Sequence, residues 1–131
     1  RDTGHLIDLM PTCVAASGAK YPKHFNGEKI QPLEGVSLLP AFAGKELKRG
    51  RPLFWEHEGN RAVRDGNWKL VAKENRPWEL YDIPKDRTEM NDLAGAHPDR
   101  VKNMAAAWDA WAARANVLPL GGWKAENALK Q

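Results

Sequence analysis

Apolar and polar positions change period along this chain, and each change marks an element. In HLIDLMPTCVAASG, Leu6, Ile7, Met10, Cys13 and Val14 recur at helical spacing and Gly18 follows, the pattern of one amphipathic helix with a glycine stop. Pro11 lacks an N–H and is tolerated only in a first turn. With Asp8 as N-cap that condition is met, so a helix is predicted over Leu9–Ser17, with residues 5–8 as a looser extension. From Ala19 to Pro52 the apolar positions shrink to Val36-Ser37-Leu38-Leu39 and Ala41-Phe42-Ala43 among Pro, Gly and charge. That predicts a long surface connection with one short helix, Leu38–Ala43.

The period then becomes strand-like. Leu53–Glu58, Arg61–Arg64, Trp68–Lys73 and Trp78–Ile83 are separated by Gly59-Asn60, Asp65-Gly66-Asn67 and Glu74–Pro77. Gly-Asn and Asp-Gly tolerate the positive φ of hairpin turns, so four strands in an antiparallel meander are predicted. A turn-rich stretch from Pro84 to Glu89 follows, and a second helix starts at Pro98, which suits a first helical position. Its stripe is Val101, Met104, Ala105, Trp108, Trp111 and Ala115, a face wide enough to lie across the sheet. The expected fold is α+β: a four-stranded antiparallel sheet packed against a long C-terminal helix, preceded by an N-terminal helix and a long linker.

Composition narrows the partners. The 131 residues suit one compact core, and no apolar run approaches the roughly 18 residues of a membrane span. Lys and Arg number 20 against 17 Asp and Glu, and the cations are scattered among acids, so neither nucleic acid nor membrane is an expected partner. Cys13 is the single cysteine; it leaves the redox compartment open and is expected to be a small buried apolar side chain. The chain opens on Arg1-Asp2-Thr3-Gly4 and looks like a piece of something longer.

Candidate chemistry centres on FWEHEGNRAVRDGNWKLV, where Glu56, His57 and Glu58 stand together. Strand alternation would put both glutamates on one face and His57 on the other, a poor self-contained metal site. Glu56 and Glu58 could act as paired carboxylates in a small hydrolase, although a charged strand end is also what solvent alone selects. Six Trp residues open a second possibility, an independent carbohydrate- or protein-binding module. Trp108 and Trp111 have helical core spacing and Trp68 and Trp78 alternate along strands, leaving Trp55 and Trp123 as the platform candidates. No nucleophile elbow, H-E-x-x-H, cysteine pair, P-loop or G-x-G-x-x-G occurs.

Taken in order, HLIDLMPTCVAASG, GVSLLPAF with a basic linker, NRAVRDGNWKL, WELYD, E-x-NDLA and HPDRVKNMAAAWDAW resemble the type I sulfatases, the bacterial arylsulfatases in particular. The resemblance runs from His5 to about Trp111 and rests on the order and spacing of the turns and Trp residues. It implies that residues 1–52 are the end of the large sulfatase domain, with its helix over 5–17, and the connection out of it. Residues 53–131 would be the C-terminal sheet-and-helix subdomain. The family hydrolyses sulfate esters with a formylglycine made in a C/S-x-P/A-x-R motif and a calcium ion. Cys13-Val14-Ala15-Ala16-Ser17 has Ser17 where Arg is required, and Ser17-Gly18-Ala19-Lys20-Tyr21 fails likewise.

No catalytic, cofactor-binding or metal residue is therefore expected in this chain; formylglycine and calcium belong to the full-length parent. What the resemblance leaves to these residues is the pocket rim, with Glu56, His57, Glu58 and Asn60 as substrate-binding candidates and Arg61 as either a contact or a strand-pairing residue. The implied partners are the N-terminal sulfatase domain of the same polypeptide and a sulfated small molecule or sugar. The family implies a periplasmic or secreted compartment. Without the sheet that covers it, the stripe of Leu6, Ile7, Met10, Cys13 and Val14 is expected to meet a second copy of the chain as a homodimer.

Overall fold

The chain folds as two units, residues 1–50 and 51–131, and the computed structural model describes residues 2–117 of them. In the first unit a single 3-10 turn, Leu6–Asp8, leads into helix α1, Leu9–Ser17, which ends on Gly18 at φ 68°. Both ends agree with the sequence reading, yet the Asp8 side chain does not cap α1. It is wholly buried and gathers strands of backbone distant in sequence. Asp8 accepts from the N–H of His5 at 2.8 Å, the N–H of Val36 at 2.9 Å and Arg49 Nη1 at 3.0 Å, and its second oxygen also takes Arg49 Nη2. Thr12 adds a second clip, donating to the Asp8 carbonyl at 2.6 Å and accepting from the Leu38 N–H at 2.9 Å. Gly35 is required beside this cluster, because a Cβ there would stand 2.2 Å from the Ile7 carbonyl oxygen and 2.7 Å from Asp8 Oδ1.

Within α1 Pro11 alone is buried, next to the Asp8 cluster, while Leu6, Leu9, Met10 and Cys13 are exposed. The expectation of a buried Cys13 is overturned: it sits on the open face. Helix α2, Leu39–Phe42, lies within the predicted short helix. A two-stranded hairpin, β1 His24–Phe25 and β2 Glu28–Lys29, was missed inside the long connection. Its turn, Asn26-Gly27 with both residues at positive φ, is itself a hairpin signal that the sparse apolar pattern obscured.

The second unit contains the predicted meander. Strands β3 Leu53–His57, β4 Asn60–Asp65, β5 Trp68–Ala72 and β6 Glu79–Asp82 pair antiparallel in that order. Their register sets Phe54, Val63, Leu70 and Leu80 side by side in one row. Helix α3, Pro98–Arg114, closes over this row with Met104, Trp108 and Ala112 to make the core. Pro98 occupies the first turn as expected; Ala112 replaces Ala115 on the buried face, Ala115 being the exposed C-cap. The E-x-NDLA stretch closes the edge of β6: Asp92 Oδ1 accepts from the Leu80 N–H at 2.9 Å and the Ala94 N–H at 2.8 Å, and the Leu93 N–H returns to the Leu80 carbonyl.

The Asp8 cluster makes the first unit acid-sensitive. Burial alone would push the Asp8 carboxyl up, but hydrogen bonds from Arg49 and from the Val36 and His5 N–H groups outweigh it and hold the carboxyl below the usual range. A lowered folded-state value means stability that is complete above the ordinary carboxylate pKa, about 3.9, and is lost as pH falls through the folded value. Asp8→Asn leaves Arg49 without its charge partner and is expected to cost about 3 kcal/mol at neutral pH. In thermal melts, the gap between wild type and D8N should shrink as pH drops below about 4.

Candidate functional site

The four residues proposed from sequence meet at one hairpin tip, but they do different work there. The turn comprises Glu58 and Gly59, with φ of 51° and 83°, and His57 pairs with Asn60 as the closing rung. This corrects the expected Gly59-Asn60 turn: Asn60 is the first residue of β4, and Glu58 has left the strand. The alternation that would have set Glu56 and Glu58 on one face therefore stops at His57.

Two of the four side chains are spent on the turn itself. Glu56 Oε1 accepts from the Gly59 N–H at 2.8 Å. Asn60 uses both ends of its amide, Nδ2 donating to the His57 carbonyl at 2.9 Å and Oδ1 accepting from the Glu74 N–H at 3.2 Å. That second bond ties the hairpin tip to the loop after β5. Glu74 also packs under the turn, so close that a Cβ on Gly59 would lie 2.9 Å from its Cγ. Gly59 is fixed twice, by its positive φ and by this contact. Neither it nor Glu74 figured among the sequence candidates, since a backing residue carries no chemical signature.

The side chains of His57 and Glu58 are exposed and, among the described residues, make no hydrogen bond or ion pair. Arg61 faces Glu56 across the rung, yet its guanidinium lies 4.3 Å from the Trp78 ring centroid and 5.5 Å from that of Trp108. Cation–π stacking against the core side of the sheet is its role. Trp55 is 37% exposed and its carbonyl accepts the Trp108 indole N–H at 3.0 Å; Trp123 lies outside the described residues.

A surface cleft of about 410 Å³ opens elsewhere, lined by Pro52, Val63, Asp65, Asp99, Arg100, Asn103, Met104 and Ala107. Neither Glu56 nor Glu58 reaches it. Asn60 and Asp65 end the same strand, so tip and cleft are separated by roughly 16 Å at 3.3 Å per residue. Among the described residues no three or more His, Cys, Asp or Glu side chains gather as a metal site, and no helix is long and apolar enough to cross a membrane.

Comparison with known proteins adds what the geometry cannot. No family model matches the chain. An uncharacterized sulfatase of Schizosaccharomyces pombe is 32% identical over 120 residues, covering 86% of this chain and 22% of that protein. A choline-sulfatase of Rhizobium meliloti is 30% identical over 95 residues, covering 67% and 17%. Among solved structures, Ps i-CgsB in complex with k-i-k-neocarrahexaose superposes with a TM-score of 0.63 at 27% identity, over 79% of this chain and 23% of that one. The chain thus spans about a fifth of the length of the curated relatives it matches.

The Asn60 clamp is directly testable. Asn60→Asp replaces the amide donor with an acceptor that faces the His57 carbonyl, and the lost bond should destabilise the second unit by about 1 kcal/mol. Amide hydrogen exchange at Gly59 and Glu74 should quicken in this variant.

Proposed function

We propose that this chain, which belongs to the sulfatase family, forms the part of a sulfate-ester hydrolase that borders the substrate pocket rather than the part that breaks the ester. The observation that carries this reading is the hairpin tip: Glu56, Asn60 and Glu74 brace the turn, and the braced turn holds His57 and Glu58 out to solvent. A rigid base with two uncommitted polar side chains is suited to binding. His57 supplies a ring N–H donor and Glu58 an acceptor for the non-sulfated portion of the ester.

The formylglycine motif implied for full-length sulfatases does not fit this sequence, and among the described residues no three His, Cys, Asp or Glu side chains gather to hold the implied calcium. Cys13 is followed at the fourth position by Ser17 instead of Arg, and the Ser17 hydroxyl donates to the Val14 carbonyl of its own helix. Bond breaking is therefore assigned to the remainder of the polypeptide. In this reading residues 1–52 continue a larger domain, and the exposed Leu6, Leu9 and Met10 of the first unit pack against it. Sulfated sugars or small esters are the substrate class.

In the full-length enzyme, His57→Ala is expected to raise KM or shift substrate preference by roughly two- to tenfold, the loss of one rim hydrogen bond, with formylglycine formation intact by mass spectrometry. Unchanged kinetics on the natural ester would defeat the rim assignment. For the isolated chain, the open face of α1 should pair with a second copy. Light scattering should give a dimer that Met10→Glu converts to a monomer; a monomeric wild type would sink that part of the reading.

A further inference from the structure

Two-residue hairpin turns with positive φ at both central positions are the province of Gly, Asn and Asp. A Cβ is crowded there by the following carbonyl oxygen, a cost that Asn and Asp offset with a short polar side chain that bonds locally and that a longer side chain such as Glu does not. In this turn the first position is Glu58 at φ 51°, a residue that local folding does not favour. Elsewhere the chain follows the rule: Asn26, Asn75 and Asn116 occupy three of the other non-glycine positions at positive φ among the described residues. The one other exception is Glu89 at φ 57°, and its carboxylate is engaged by Lys69 Nζ at 2.6 Å. Glu58 is exposed and has no such partner among the described residues, so no side-chain bond there offsets the cost of placing a glutamate at this position.

Strain held by a well-braced scaffold is a mark of a functional position, and this turn is braced from three sides by Glu56, Asn60 and Glu74. We infer that Glu58 occupies the turn for recognition at the expense of stability, and accepts a hydrogen bond from a hydroxyl or ammonium group on the alcohol portion of the ester. This rests on the pocket-rim reading above and singles out one residue of the rim. The chemistry follows from the side chain: an ionised carboxylate only accepts hydrogen bonds, so its counterpart must be a donor and not the sulfate. Glu56, its neighbour, is already committed to the Gly59 N–H and does not share the task.

The experiment separates stability from recognition. In the isolated chain, Glu58→Asn should raise Tm by a few degrees, because asparagine tolerates positive φ. In the full-length enzyme the same variant, shorter and uncharged, should lower kcat/KM for glucose 6-sulfate or glucosamine 6-sulfate relative to p-nitrophenyl sulfate by roughly two- to tenfold. Glu58→Gln, which keeps an acceptor but no charge, identifies the donor. A loss confined to glucosamine 6-sulfate assigns an ammonium group, and retention of both ratios assigns a hydroxyl. A higher Tm with unchanged ratios in Glu58→Asn overturns the recognition role, and an unchanged or lower Tm overturns the claim of strain. If His57→Ala alters substrate preference while Glu58→Asn does not, the rim reading stands and only this inference falls. If neither His57→Ala nor Glu58→Asn changes substrate preference, the rim reading itself falls and the inference with it.

Discussion

The second unit is organised by the burial of Trp108. Its ring meets Trp78 at 6.2 Å and Trp111 at 6.0 Å, Arg61 approaches its face, and its indole N–H donates to the Trp55 carbonyl of β3. A single side chain thereby ties the helix to an edge strand, to the segment entering β6 and to β4. A buried indole needs both apolar contact and a partner for its N–H, and the meander supplies both in one place. Phe54 completes the arrangement by stacking on Trp111 with ring centroids 5.4 Å apart. The hairpin tip stands at the end of this packed sheet, which is why its turn can be held in a costly conformation.

The first unit solves a different problem. It has little apolar interior of its own; its fixed point is the Asp8 carboxylate with Arg49 and two backbone N–H groups. A buried ion pair gives less net stability than an apolar core of the same volume, but it defines geometry closely because every lone pair needs its donor. Holding residues 35–38 against α1 by polar bonds frees the helix's apolar positions to face outward. In the proposed reading, that outward face is the one the larger domain covers.

Much of this was legible in the sequence because its punctuation is physical. Gly18, Pro98 and Gly66 act through φ and a missing N–H, and they mark element ends in the structure as they do in the chain, although Asp65 of the expected Asp65-Gly66-Asn67 turn is the last residue of β4. The first hairpin turn was misread by one residue, and the reason is instructive. Gly59-Asn60 is the better local turn, yet with that two-residue turn Val63 would stand opposite Glu56. Shifting the turn to Glu58-Gly59 sets Val63 opposite Phe54 and continues the row to Leu70 and Leu80. Register follows the buried face, and the core overrode turn propensity. The same override drew Asn60 into the strand and made it a clamp.

That slip also explains why the hairpin tip could be located from sequence while the contacts of its side chains could not. Polar residue types at a strand end announce a solvent-facing tip, whereas the division of labour among them depends on register. Once His57 and Asn60 form the closing rung, the Asn60 amide lies within reach of two backbone groups, and the Glu56 carboxylate lies within reach of the Gly59 N–H. Bonds to one's own backbone are gained without ordering a partner, so these two side chains are consumed locally. His57 and Glu58 project where no described backbone group can meet them. Of four polar residues with similar chemistry, the turn geometry decides which two keep their side chains free of the local backbone, and one of them is an exposed glutamate at a positive φ that local folding does not favour.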